Sequence, residues 1–202
     1  MANNQKPKGR FYRSHEFRPD KLQASFLKTL YLTQYQRRIL AKWSLFALVC
    51  IAALVLQDVI MARVSILGAN TDLVPCAILL ISVAIGSEEG GVFALVAAMI
   101  YYFAGTAPGP YAVALLPIYG LAGGLFRENF WRRGMASDVL CAGIAMMAYE
   151  ISVFGLGLFS ELTNWYRWYV FLITGILSVL VMLPLYPLVS KIHAIGGETW
   201  KE

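Results

Sequence analysis

The chain has 202 residues, of which 58% are hydrophobic and 14% charged, and its mean hydropathy is +0.60. A soluble domain carries roughly 25% charged residues; composition therefore excludes a water-soluble globular fold, and an integral membrane domain is expected. The net charge of +5 and pI near 9.2 would suit a nucleic-acid partner if the charge were spread over a surface, but ten of the 17 Lys and Arg lie in residues 1–42.

No nucleic-acid recognition module accompanies that charge, so no nucleic-acid partner is expected. Residues 1–42 read as a basic cytoplasmic leader facing anionic lipid, where each basic residue near the surface contributes about 1 kcal/mol. Within it, residues 26–42 are a candidate interfacial helix, with Phe26, Leu30, Tyr31 and Ile39 scattered around the wheel. The apolar run begins only after Lys42 and is too long for a signal h-region, so no cleavable signal peptide is expected.

Residues 43–190 read as a membrane domain of six transmembrane helices, followed by a cytoplasmic tail at 191–202. The first span, 43–61, opens on Trp43 as an interfacial anchor and carries Ala47, Ala52 and Ala53 as small-residue surface for close helix approach. Asp58, near its far end, is an intramembrane polar candidate: it reaches water or headgroups, or it pairs with Arg63. The second and third spans, 72–86 and 90–103, are short for a bilayer core that takes roughly 20 helical residues. Ser87, Glu88, Glu89 and Gly90 between them read as a tight turn with solvated acids; short, interrupted segments can also mark a site at mid-depth.

Thr106 to Pro110, TAPGP, is a loop, because proline and glycine together do not continue a helix. The fourth span, 111–126, ends in Gly120, Gly123 and Gly124, which permit close helix crossing. Arg127, Arg132 and Arg133 then mark a cytoplasmic loop. In the fifth span, 136–159, Glu150 interrupts an otherwise apolar run. An acid at that depth is costly and normally faces the bundle interior. It is either a functional-site residue or a protonated glutamate that holds helix packing. Trp165, Tyr166, Trp168 and Tyr169 form an outer aromatic belt, and a sixth span covers 169–189.

Six spans starting inside leave only Arg63 and Arg167 of the basic residues outside, in agreement with the positive-inside rule. Both termini are then cytoplasmic. Cys50, Cys76 and Cys141 lie in three different apolar segments without ligand spacing and read as buried free thiols. No metal or other cofactor is expected, and Glu150 has no general base, nucleophile or ligand set near it in sequence, so an enzyme is not expected.

Laid out in this way, residues 66–133 resemble the bacterial rod-shape-determining protein family MreD. The likeness rests on Gly68, then Asp72 and Leu73 stepping into an aliphatic run, then Glu89, Gly90 and Gly91 at a turn. Gly109, Gly120, Gly123, Gly124 and Arg127 complete it, and the last two spans follow in outline. Thr71 stands where the family commonly has proline, Tyr101 to Phe103 stand where its third helix often ends in an acid, and the leader is longer than usual. The resemblance implies a non-enzymatic scaffold of the cell-elongation machinery (the elongasome) in the bacterial cytoplasmic membrane. Such a scaffold binds a bitopic MreC-like protein and, through it, the peptidoglycan synthases that set cell shape and cell-wall organisation. Ala47, Ala52, Ala53, Gly120 and Gly124 are the candidate partner interface. The MreD fold is similar to that of the substrate-binding subunits of energy-coupling-factor vitamin transporters, which supplies the alternative function; the outward loops offer few convergent polar groups for a vitamin.

Overall fold

A computed structural model describes residues 34–59, 68–130 and 134–195. The leader before Gln34, Met61 and Arg63, Arg132 and Arg133, and the tail beyond Ile195 lie outside the described residues. Regular structure among the described residues is helical: α1 (Gln34–Val59), α2 (Leu73–Ile85), α3 (Ser87–Phe103), α4 (Ala112–Phe130), α5 (Met135–Phe159) and α6 (Trp168–Ile195), with a short 3-10 turn at Trp165–Arg167 leading into α6.

The bundle is built around α2. Its sequence, LVPCAILLISVAI, is apolar on every face, and Leu73 through Ala84 are all buried. A helix of that kind must be enclosed, and α2 packs against each of the other five. Those five close around it in the order α1, α3, α4, α5, α6, with α6 returning to α1. At 1.5 Å per residue, α2 is only about 20 Å long.

The outside of the ring is also apolar. Leu48 and Ile51 of α1, Val92 and Val96 of α3, Ile118 of α4, Ile144 and Ile151 of α5 and Ile176 and Leu180 of α6 are all exposed. In water this would be an apolar patch far larger than monomers tolerate; it is the surface a lipid-embedded helix presents. Residues Gln36–Val59, Met135–Phe159 and Trp165–Ile195 are long and apolar enough to cross a membrane.

The expectation of six spans is therefore met as six helices, of which three have spanning length and hydropathy. The physical reason is division of labour. Enclosed by its neighbours, α2 never meets lipid and needs no spanning length. Both α3 and α4 carry polar ends, SEEGG at the start of α3 and RENF at the end of α4.

Two boundaries differ from the sequence reading. The chain is already helical from Gln34, so Arg37, Arg38 and Lys42 belong to α1, and Lys42 is buried. The turn expected at 87–90 is instead the first turn of α3. Gly86 alone separates α2 from α3, at φ +129°, a conformation that favours glycine. Exposed Glu88 and Glu89 then lie at the positive end of the α3 dipole. A Cβ on Gly90 would overlap the Ser82 carbonyl oxygen, so glycine here is what allows α3 to fold back closely on α2.

Candidate functional site: a buried carboxyl pair

A buried helix leaves its first amides and last carbonyls without intrahelical partners, and α2 is buried from Leu73 to Ala84. Surrounding helices supply the partners. At the amino end the Val74 amide donates to Gln57 Oε1 of α1 at 2.8 Å, and the Asp72 amide donates to Ser178 Oγ of α6 at 3.1 Å. Cys76 Sγ donates to the Ser178 carbonyl at 3.3 Å, tying α2 again to α6.

With those amides satisfied from elsewhere, the Asp72 side chain makes no capping bond of its own. Its carboxyl instead stands beside the carboxyl of Glu150 on α5, close enough for the two acids to interact. Two ionised carboxylates this close repel each other, and a proton shared between them would relieve that repulsion. Glu150 is 2% exposed and Asp72 is half-buried. Tyr101 of α3 and Tyr149 of α5 stand close enough to interact electrostatically with both acids, and both tyrosines are buried.

The pair owes its depth to the shortness of α2. Glu150 lies nine residues before the end of α5 at Phe159, about 14 Å along the axis at 1.5 Å per residue. Because α2 starts within the bundle, its first turn carries Asp72 down to Glu150. The buried acids gather at the Asp72 end of α2, not at the Glu88 end, where Glu88 and Glu89 are exposed.

A second buried polar group closes the other end. Arg127 of α4 donates from Nη1 to the Ala84 carbonyl at 3.1 Å and to Asp138 Oδ1 of α5 at 3.2 Å; Tyr186 Oη of α6 donates to Asp138 Oδ2 at 3.3 Å. Arg127 and Asp138 are 2% and 0% exposed. The next residue of α4, Glu128, accepts from the Ser87 amide and hydroxyl, each at 2.9 Å, and so caps α3. Arg127, expected to mark a loop, is thus an interior residue of α4 that satisfies the last turn of α2. Asp138 was not singled out in the sequence at all.

Other expected positions fall as follows. Asp58 is exposed near the end of α1. Ala47 and Ala52 are exposed while Ala53 is buried, so the three alanines do not share one face. Gly120 is packed within the bundle, where a Cβ would come within 3.2 Å of the Ala94 Cβ, and Gly124 lies against the Ser87 backbone, where it would come within 2.9 Å. Gly91 packs on Leu121, Glu89 is exposed, and Gly68 is exposed at φ +80° before α2. Cys50, Cys76 and Cys141 are free and buried.

Between α1 and α6 runs a groove of about 400 Å³, lined by Leu48, Ala52, Leu56, Leu185, Leu188 and Ile192 among other aliphatic side chains. Ala52 and Ala53 keep its floor low.

These features define an all-helical membrane protein with one enclosed helix, a carboxyl pair at one end of it and a buried ion pair at the other. No protein-family model, curated protein or solved structure matches the chain.

Proposed function

We propose that the chain is a non-enzymatic scaffold of the bacterial cell-elongation machinery, a divergent relative of the MreD family. In this reading all six helices cross the cytoplasmic membrane in a bundle similar to the energy-coupling-factor substrate-binding subunits. Both termini are cytoplasmic, and the leader rests on anionic lipid. The scaffold binds a bitopic MreC-like protein and, through it, positions the peptidoglycan synthases.

The observation that carries the proposal is the groove between α1 and α6. It is lined only by aliphatic side chains and alanines, its long axis follows two helices of spanning length, and small residues at its floor allow another helix to approach closely. Helices associate in lipid by such packing, since burial from water contributes nothing there.

A substrate-binding subunit of a vitamin transporter is the second reading, favoured by the polar groups gathered around Asp72 and Glu150. Against it, the cavity beside Glu150 is about 150 Å³, below the roughly 300 Å³ at which ligand pockets of vitamin size begin.

Co-expression with an MreC-like single-span protein and purification in mild detergent tests the proposal. Ala52→Trp, which fills the groove floor, should abolish co-purification, and Val96→Trp on the exposed face of α3 should leave it intact. Retention of the partner by Ala52→Trp would remove the groove from the account.

A further inference from the structure

Two prolines, Pro184 and Pro187, lie inside α6. A proline has no amide hydrogen to give to the carbonyl four residues back, so the Leu180 and Leu183 carbonyls each lack their helical donor. Bending of a helix concentrates at such positions. The α6 wall of the α1–α6 groove lies wholly beyond this weak point, since Leu185, Leu188, Ile192 and Ile195 all follow Pro184. Before it, α6 is fastened to the enclosed helix: Ser178 Oγ accepts from the Asp72 amide, and the Ser178 carbonyl accepts from Cys76 Sγ.

Tyr186 stands between the two prolines and reaches away from the groove. Its Oη donates to Asp138 Oδ2 of α5 at 3.3 Å, and Asp138 is in turn paired with Arg127 at 3.2 Å. In the ring, α6 sits between α5 and α1. A side chain that holds residues 184–195 toward α5 therefore holds Leu185 and Leu188 away from α1. Once released, the segment gains contacts by moving toward α1, because helices in lipid associate through close side-chain packing. Ala52 and Ala53 on the facing wall leave room for that movement.

We infer that residues 184–195 of α6 form a hinged wall that sets the width of the α1–α6 groove, and that the Tyr186–Asp138 hydrogen bond is the latch that keeps the groove open. The buried Arg127–Asp138 pair thereby controls access to the groove. What the groove admits rests on the scaffold reading; the hinge does not, and its test uses no partner.

The test is electron paramagnetic resonance on the full chain in lipid nanodiscs, with spin labels on cysteines introduced at exposed positions outside the groove lining. One pair, Ala47 on α1 and Lys191 on α6, reports on the wall beyond the prolines. The other, Val55 on α1 and Leu180 on α6, reports on the same two helices before them. The three native thiols are buried, and the chain without added cysteines gives their background. Both pairs should show a single distance in the parent protein. Tyr186→Phe, which keeps the ring and removes the latch, should add a shorter-distance population between Ala47 and Lys191. The distance between Val55 and Leu180 should stay as it was, which also shows that the bundle is intact. Adding Pro184→Ala and Pro187→Ala to Tyr186→Phe restores both helical donors and should return Ala47 and Lys191 to one narrow distance. An unaltered distance between Ala47 and Lys191 in Tyr186→Phe, an equal change in both pairs, or a response that survives the proline replacements would each overturn the inference.

Discussion

Asp72 at the start of α2 and Glu150 in the middle of α5 meet carboxyl to carboxyl inside the bundle. The two acids come together because α2 is short enough to begin at the level of Glu150, and a proton shared between them would relieve their repulsion. Gln57 and Ser178 satisfy the neighbouring backbone amides from α1 and α6, which leaves the Asp72 side chain available to α5.

A shared proton tolerates a neutral isostere. Glu150→Gln should change thermal stability in detergent by less than about 1 kcal/mol, whereas Glu150→Leu leaves Asp72 without its partner and should cost about 1–3 kcal/mol. Infrared difference spectra should show loss of a protonated-carboxyl carbonyl band at neutral pH in Glu150→Gln. Absence of that band in the parent protein would mean that both acids are ionised and apart.

The buried ion pair at the other end of α2 should respond differently. Removing one partner leaves an uncompensated buried charge, so Asp138→Leu should destabilise by about 3–5 kcal/mol. The double variant Arg127→Met with Asp138→Leu should recover a large part of that loss, because neither charge remains buried. Additive losses in the double variant, read from unfolding midpoints, would indicate that Arg127 acts mainly through the Ala84 carbonyl.

Adjacent glycines separate packing from flexibility. At Gly90 a Cβ would overlap the Ser82 carbonyl, while at Gly91 it would lie 3.4 Å from the Leu121 side chain. Gly90→Ala should therefore cost about 1–3 kcal/mol as an overpacking change, and Gly91→Ala should be close to neutral. The fraction of monodisperse protein on size-exclusion chromatography, followed by thermal melting, reports both.

The amide cap on α2 gives a fourth expectation. Gln57→Leu removes the acceptor of the buried Val74 amide, and should cost about 1–3 kcal/mol. Hydrogen exchange should then accelerate at the first turn of α2 before it does in α5. Uniform acceleration across the bundle would argue against a local cap.

Much of the helical layout is legible in the sequence, because long apolar runs punctuated by TAPGP, glycine and basic residues leave few alternatives. Glu150 is legible too, as an acid deep in an apolar run. Its partner is not: the short second segment is visible, but only the packing shows that its recessed amino end is where acid meets acid. Arg127 misleads because Glu128 and Asn129 follow it and suggest a loop. The available signal is spacing, since Gly120, Gly124 and Arg127 recur at helical intervals on one buried stripe. Asp138 looks like a solvated helix start after Gly134, yet Cys141, Ala142 and Ala145 on its face are buried. The alanines of α1 divide for the same reason: a small residue permits close approach without saying whether the approaching helix belongs to this chain.

The most direct test of the scaffold account is photo-cross-linking in membranes that contain the chain and an MreC-like single-span partner. A photoreactive residue at Leu48 or Leu188, in the α1 and α6 groove, should capture the partner, and one at Val96, exposed on α3, should not. Capture from Val96, or none from Leu48 and Leu188, would contradict the account.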